Sequence, residues 1–234
     1  MEVKNIKYYG KPFTVTMIEN NAKTWLISTP AMILLMMRRV GFVKSVKILI
    51  DWQKTKKELE YIDFSTLDIN GENRDKFIEQ RLQQTAIFMA MQKHIGLKET
   101  IELHHVFMDK VGMKIQKLYN PPVEAFKDAT DHFKAYSKFI IAEFKAKKEV
   151  GLHDYEIVEQ TEDILRINVN YCAFCKIPEM CGMKEACEPG CYSDEVFFPN
   201  YLRPLGIAFE RTQTLARGGT SCDFKFIKLR NFPL

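Results

Sequence analysis

Apolar residues recur at helical spacing through most of the first 150 residues of the chain. The strongest predicted helix covers residues 74–95, where one face carries Phe77, Ile78, Leu82, Ala86 and Met89. Similar spacing predicts helices over residues 43–61, 98–118 and 123–148. A shorter helix is predicted to begin at Ser28-Thr29-Pro30, since a cap residue followed by proline is a common helix start. Most of this part of the chain is therefore predicted to be helical.

After Gly151 the pattern changes from helical spacing to strict alternation. Residues 155–159 and 164–169 alternate around a short polar connection, which predicts a β-hairpin. Two further alternating stretches flank Gly218-Gly219 near the end of the chain and predict a second hairpin. A possible strand at 13–18 is isolated. The order predicts an α+β fold, an antiparallel sheet of two hairpins covered by an N-terminal set of helices, with a pocket between helices and sheet.

The same change of pattern divides the chain into two parts. Residues 1–70 are interpreted as a helical N-terminal extension, and residues 71–234 as an α+β domain that contains a cysteine-rich segment at 172–191. Residues 1–60 hold eleven Lys/Arg against five Asp/Glu. This excess indicates a solvated basic face or, alternatively, a surface for anions.

Composition narrows the class of protein. A hydrophobic fraction of 46% and a charged fraction of 27% are typical of a soluble globular chain, and a net charge of +4 is too small to indicate nucleic acid binding. The longest apolar run, 31–37, is far shorter than the roughly 20 residues of a transmembrane helix, and the first residues lack the apolar core of a signal peptide. We expect a cytoplasmic protein without a transmembrane segment, whose partners are a small-molecule substrate and a second copy of the chain.

All six cysteines lie in the last third of the sequence, at positions 172, 175, 181, 187, 191 and 222. In a reducing compartment such cysteines are expected to be thiols or metal ligands rather than disulfides. The spacing makes four of them candidate ligands for zinc or an iron–sulfur cluster: Cys172, Cys175, Cys181 and Cys187. The alternative is a set of ordinary buried thiols.

Two cysteines differ from the others because an aspartate lies within three residues of each. Cys191 precedes Asp194 in a predicted helix, and Cys222 precedes Asp223 in a predicted strand. A nucleophilic cysteine needs a lowered pKa, which the cation of Arg211 on the facing strand would supply. Alternatively, Asp194 is a general base toward water and Cys191 only lines the pocket. Both alternatives remain open at the level of sequence.

Three stretches, 170–172, 191–195 and 207–226, resemble the L-2-amino-thiazoline-4-carboxylic acid hydrolase family, and the resemblance extends over roughly residues 75–229. It implies hydrolytic opening of a small five-membered C=N ring to a carbamoyl-cysteine product. Under this resemblance Asp194 is the candidate base, and Cys191 and Cys222 flank the ring. Arg211 would hold the substrate carboxylate, and the further candidates for substrate binding are Thr214 and Asp223.

The end of the chain is also distantly similar to the vinyl-reductase-type ligand-binding domains of bacterial aromatic sensors. That resemblance implies a zinc held by cysteines and a glutamate around the terminal hairpin. Arg211 and Thr214 stand where the glutamate and one cysteine are expected, whereas Cys222 is retained. Two alternatives to a hydrolase therefore remain: a non-catalytic small-molecule-binding module, and a metal or iron–sulfur protein built on the cysteines.

Overall fold

The structure is a computed structural model that describes residues 21–71 and 74–230. The possible strand at 13–18 lies outside these residues. The helices before the sheet are α1 (Asn21–Val40), α2 (Phe42–Leu59), α3 (Arg74–Ile95), α4 (Leu97–Gln116), α5 (Glu124–Lys127) and α6 (His132–Glu149). The later elements are β1 (His153–Gln160), β2 (Ile164–Cys172), α7 (Ala173–Met180), α8 (Glu188–Leu202), β3 (Ile207–Glu210) and β4 (Cys222–Lys228).

The four strands form one antiparallel sheet in the order β1-β2-β4-β3. Ile167 of β2 pairs with Phe224 of β4. On the other side of β4, Phe226 pairs with Phe209 of β3. The predicted α+β fold with two hairpins is confirmed. The second hairpin is wider than a two-residue Gly-Gly turn predicts, because residues 211–221 connect its strands and include a 3₁₀ turn at Leu215–Arg217.

One face of the sheet is buried under α6 and α8. Leu165, Ile167 and Val169 of β2 are buried, while Arg166 between them is exposed, so the sheet is apolar on the helix side only. The main core joins this face to aromatic residues of the two helices, namely Phe133, Tyr136, Phe139, Phe144, Phe197, Phe198 and Tyr201. This packing fixes the position of α8, which carries most of the candidate site.

Helices α1 to α4 form a second helical layer. Met36 of α1 and Ile48 of α2 are buried against Met91 of α3 and Leu103 of α4. The predicted helix start at Ser28 is wrong, since α1 already includes Asn21, and the Ser28 hydroxyl donates to the Thr24 carbonyl at 2.7 Å within the helix. Across residues 21–71 and 74–230, every helix is too short or too polar to cross a membrane.

The turn between α6 and β1 packs closely against the segment that follows α2. Two hydrogen bonds close the C-terminal end of helix α6: Gly151 N–H donates to the Lys148 carbonyl, and Leu152 N–H donates to the Lys147 carbonyl. Gly151 between them has a left-handed conformation (φ +76°), as is common just after a helix. The backbone of residues 68–70 lies directly against this turn: Asn70 N–H donates to the Val150 carbonyl at 3.0 Å. A Cβ on residue 151 would lie 1.6 Å from the Asp68 carbonyl oxygen.

Candidate functional site

The first residue of β4 and the first turn of α8 bring two predicted cysteines together. The Cys191 thiol donates a hydrogen bond to the Cys222 sulfur, which lowers the pKa of Cys222 and raises the pKa of Cys191 well above its usual value. The Leu215 N–H also donates to the Cys222 sulfur at 3.3 Å, and the cation of Arg211 favours the same ionised form. Ionisation is therefore favoured at Cys222 over Cys191.

Arg211 follows β3 directly and is buried against α8, with 1% of its side chain exposed. Its Nη1 donates to Asp194 Oδ2 at 3.0 Å, and its Nη2 donates to Glu195 Oε1 at 3.0 Å and to the Cys191 carbonyl. The guanidinium also lies 5.4 Å from the centre of the Phe224 ring. The predicted meeting of the hairpin arginine with the acidic turn of α8 is thus seen directly.

Two adjacent carboxylates on α8 have oppositely shifted pKa values. Burial raises the pKa of Asp194, and the nearby Arg211 only partly reverses this. Burial acts in the same direction on Glu195, but hydrogen bonds from Arg217 and Arg211 hold its pKa below the usual value. Of the two, Asp194 is the group whose protonated form is favoured by its surroundings.

Unpartnered polar atoms lie beside Asp194, between the helices and the sheet. Among the described residues, Tyr136 Oη on α6 and Arg211 Nε are buried without a hydrogen-bond partner. The pKa of Tyr136 is raised well above its usual value, chiefly by burial, with the charge of Asp194 among the contributors. An unsatisfied buried polar group costs about 1–3 kcal/mol, but neither of the two described cavities includes Tyr136 or Asp194, so the predicted pocket between helices and sheet is not seen there among the residues that the structure describes.

Thr214 and Asp223 organise the connection between β3 and β4. Asp223 accepts hydrogen bonds from the N–H groups of Thr212 and Gln213, at 3.0 and 2.7 Å, and Thr214 Oγ1 accepts one from Arg217 N–H. Asp223 also lines a cavity of about 240 Å³ on the open face of the sheet. Its other lining residues are Arg166, Glu210, Arg211, Thr212, Phe224 and Lys225, so the catalytic candidates Cys191, Asp194 and Cys222 do not line it.

Comparison with known proteins gives a family. The profile described as L-2-amino-thiazoline-4-carboxylic acid hydrolase matches residues 75–226, which is more than half of the chain. The chain belongs to this family. A search of the curated proteins finds no match. A crystal structure of the Fe(II) unliganded H-NOX protein from K. algicida is similar with a TM-score of 0.40 and 9% identity, over 89% of this chain and 98% of that chain.

The range that matches the thiazoline-carboxylate hydrolase family includes every candidate site residue, but the structure divides the four predicted metal ligands. Cys175 and Cys187 form a disulfide, so the expectation of free thiols throughout is wrong for this pair. Cys191 Sγ lies within 4.8 Å of both sulfurs, so these three cysteines could hold a metal ion only with the disulfide reduced. Cys172 packs against the same cluster, whereas Cys181 packs against the helical core that contains Ile177 and Leu82.

A chain of ion pairs extends the site of this family member beyond the residues predicted from sequence. Arg217 bridges two carboxylates of α8, Glu188 at 2.8 Å and Glu195 at 2.6 Å. Glu188 also bonds His105 Nε2 of α4 at 2.7 Å, and Glu195 continues to Arg211. Glu188 and Glu195 are seven residues apart and share a helix face, a spacing that would have revealed them. The network holds the β3–β4 connection against α8 and α4.

Proposed function

We propose that the protein is a hydrolase that opens a small cyclic C=N substrate of the thiazoline-carboxylate type. One observation carries the proposal: a thiolate-stabilised Cys222, an acid–base carboxylate on Asp194 and two unpartnered hydrogen-bond donors occupy one place between α6, α8 and the sheet. Membership of the hydrolase family supports the same reaction class. A cation, a nucleophile and a proton carrier are what opening of a C=N ring requires.

In the proposed reaction the Cys222 thiolate adds to the ring carbon of the C=N bond, while Asp194 transfers its proton to the ring nitrogen. The ring carbon–sulfur bond then breaks, and the departing sulfur takes a proton from a nitrogen of the isothiouronium left on Cys222, which becomes a neutral isothiourea. Asp194, now ionised, accepts a proton from water as the water attacks the same carbon. Breaking the bond to Cys222 releases the carbamoyl product and returns the thiolate, to which Cys191 again donates its proton in a hydrogen bond.

Substrate binding is assigned to the connection between β3 and β4. Arg211 would hold the substrate carboxylate, because its buried Nε has no partner in the described part of the chain and its charge is opposite. Thr214 and Asp223 would contribute by fixing the backbone of this connection, which their hydrogen bonds already do. Tyr136 Oη, which is buried without a partner, would donate to the substrate carboxylate.

The decisive experiment compares turnover of 2-aminothiazoline-4-carboxylate by Asp194→Asn and Cys222→Ser with that of the unaltered protein. Each change should lower kcat by at least about 10²-fold, because it removes the proton carrier or the thiolate. Glu195→Gln and Cys181→Ser are the matched controls, since they alter the same ion network and the same residue type, and they should lower kcat far less. Full activity of either test variant would exclude that residue from the mechanism.

Tyr136→Phe separates a substrate-binding role from a packing role. Because its hydroxyl is buried without a partner, deleting only the oxygen should leave the free energy of unfolding unchanged or raise it. The same change should raise KM for the thiazoline carboxylate if the hydroxyl binds substrate. Chemical denaturation tests the expected free energy of unfolding, and steady-state kinetics on the same preparation tests the expected rise in KM. Lower stability with unchanged kinetics would assign Tyr136 to the core alone.

A second candidate is a non-catalytic small-molecule-binding module that uses the cavity of about 240 Å³ on the open face of the sheet. The separation of this cavity from Cys191, Asp194 and Cys222 favours it, because a ligand bound there would not meet the catalytic candidates. Thermal-shift measurements with cyclic amidines and heterocyclic carboxylates identify binding, since a ligand that binds only the folded state raises Tm. Binding without product formation would favour this candidate over the hydrolase.

We further propose a soft-metal cofactor, zinc or an iron–sulfur cluster, because thiolates prefer such metals and three sulfurs lie close together.

A homodimer is proposed on the exposed apolar face of α2, formed by Phe42, Val43, Val46 and Ile50. Residues 1–70 are proposed as an extension that packs on a domain formed by residues 71–234, since α1 and α2 lie against α3 and α4. The cytoplasm is the proposed location.

A further inference from the structure

The sulfur cluster has the geometry of a mononuclear metal site. Cys175, Cys187 and Cys191 have sulfurs that all lie within 4.8 Å of one another, and Cys172 packs against them. Four sulfurs around one tetrahedral zinc ion, at about 2.3 Å each, would be roughly 3.8 Å apart. Such a site would form once the Cys175–Cys187 bond is reduced and the sulfur of Cys172, which lies outside the group of three, turns toward it.

Two helices direct their N-termini at this cluster. Cys172 is the N-cap residue of α7, and Cys187 is the N-cap residue of α8. Cys175 lies in the first turn of α7, and Cys191 lies one turn after Cys187 on the same face of α8. The partial positive charge at each helix start favours thiolates over thiols. The cluster thus collects four cysteines where their ionised forms are most favourable.

Burial opposes that ionisation unless a cation enters. Cys175, Cys187 and Cys191 are buried, and Cys172 is partly buried. A bound metal ion removes the thiol protons and neutralises the resulting charge. Arg217 cannot serve as this cation, since it is paired with Glu188 and Glu195.

We propose that the reduced protein binds one zinc-type ion through Cys172, Cys175, Cys187 and Cys191, and that the Cys175–Cys187 disulfide is the metal-free, oxidised form of the same site. The proposal rests on the soft-metal cofactor and is independent of the hydrolase activity. A dithiol or phosphine reductant supplies the two electrons that break the S–S bond, and is itself oxidised. Zinc then displaces the protons of the four thiols.

The position of Cys191 links this site to the catalytic pair. A metal-bound Cys191 is a thiolate, and so no longer donates its proton to Cys222. Cys181 remains outside the site, because it packs with the helical core.

The test uses the full chain in two states, oxidised with the disulfide intact and reduced with a phosphine in oxygen-free buffer. Zinc(II) is added, excess is removed by gel filtration, and bound metal is measured by elemental analysis. The reduced protein should retain one zinc per chain and the oxidised protein none. Equal zinc in both states would overturn the proposal, as would iron with inorganic sulfide in protein purified without oxygen.

Serine variants test the ligand set. Replacing Cys172, Cys175, Cys187 or Cys191 should weaken zinc binding by more than the roughly 10–100-fold that loss of an outer-shell partner costs. The matched variants Cys181→Ser and Cys222→Ser should bind zinc as the unaltered chain does. Loss of zinc in Cys181→Ser would preserve a soft-metal cofactor and overturn this ligand set, whereas no zinc in any reduced sample would overturn both.

Alkylation of the unaltered chain provides a readout that does not depend on the folding of variants. Zinc should protect residues 172, 175, 187 and 191 from iodoacetamide, and a chelator should restore their labelling, as measured by peptide mass. Unchanged labelling of these four cysteines on zinc addition would overturn the site. Neither measurement uses substrate, so an inactive hydrolase leaves the result unaffected.

Discussion

Arg211→Ala should lower the free energy of unfolding by about 3 kcal/mol, because removing one partner leaves the other buried charges uncompensated. The Arg211 side chain is 1% exposed, and its guanidinium donates hydrogen bonds to Asp194, Glu195 and the Cys191 carbonyl. The estimate is at the low end for buried pairs, since a quarter of Asp194 and a third of Glu195 remain exposed to water. Urea unfolding of the variant and the unaltered protein measures the difference. Activity should fall too, because the cation beside Cys222 is lost.

Arg217→Ala is the matched control within the same ion network. Arg217 shares the Glu195 carboxylate with Arg211, but 42% of its side chain is exposed, so its ion pairs are worth about 1 kcal/mol or less. Added salt should weaken the Arg217 contribution more than that of Arg211, since exposed charges are screened. A cost for Arg211→Ala no larger than that for Arg217→Ala would show that burial of the guanidinium does not matter.

Gly151→Ala is expected to destabilise the fold by at least about 3 kcal/mol. Its left-handed φ of +76° is unfavourable for a residue with a side chain, and the new Cβ would lie 1.6 Å from the Asp68 carbonyl oxygen. The backbone at residues 68–70 would have to move, which breaks the contact between Asn70 N–H and the Val150 carbonyl. Thermal or urea unfolding tests the expectation.

Gly218→Ala separates the two causes. Gly218 has a similar left-handed φ of +84°, but a Cβ there has no neighbour within 4 Å, so only the conformational cost of about 1–2 kcal/mol applies. The difference between the two variants then measures the steric contact of Gly151 with Asp68. Equal destabilisation by both substitutions would show that the backbone at residues 68–70 moves away from the new Cβ at no cost in stability.

Helical periodicity predicts the position of the strongest helix correctly, since the range 74–95 matches α3. It fails at 123–148, where the chain breaks into α5 and α6. There the Asp131 carboxylate accepts a hydrogen bond from Lys134 N–H at 2.9 Å and starts a new helix. A capping side chain therefore overrides apolar spacing that continues through it. The strands are found because alternation reflects burial on one face only.

The sequence also predicts that Arg211 meets Asp194, since the hairpin and the acidic turn of α8 both appear in the family resemblance. Which cysteines share a cluster depends on helix geometry that the ligand prediction ignored. Cys175 in the first turn of α7 and Cys181 at its C-cap are six residues apart, which turns them about 120° from one another, whereas Cys187 and Cys191 are one turn apart. The hydrogen bond from Cys191 to Cys222 joins distant elements and has no local signature.

The strand order gives a constraint on biosynthesis. β4 lies between β2 and β3, so the sheet stays incomplete until residues 222–228 have left the ribosome. The helical layer, whose contacts are closer in sequence, can assemble earlier during translation. Until β4 inserts, β2 exposes a free edge and the remaining cysteines are open to wrong pairings. The nascent chain is thus most vulnerable to misoxidation and strand addition during the synthesis of its last quarter.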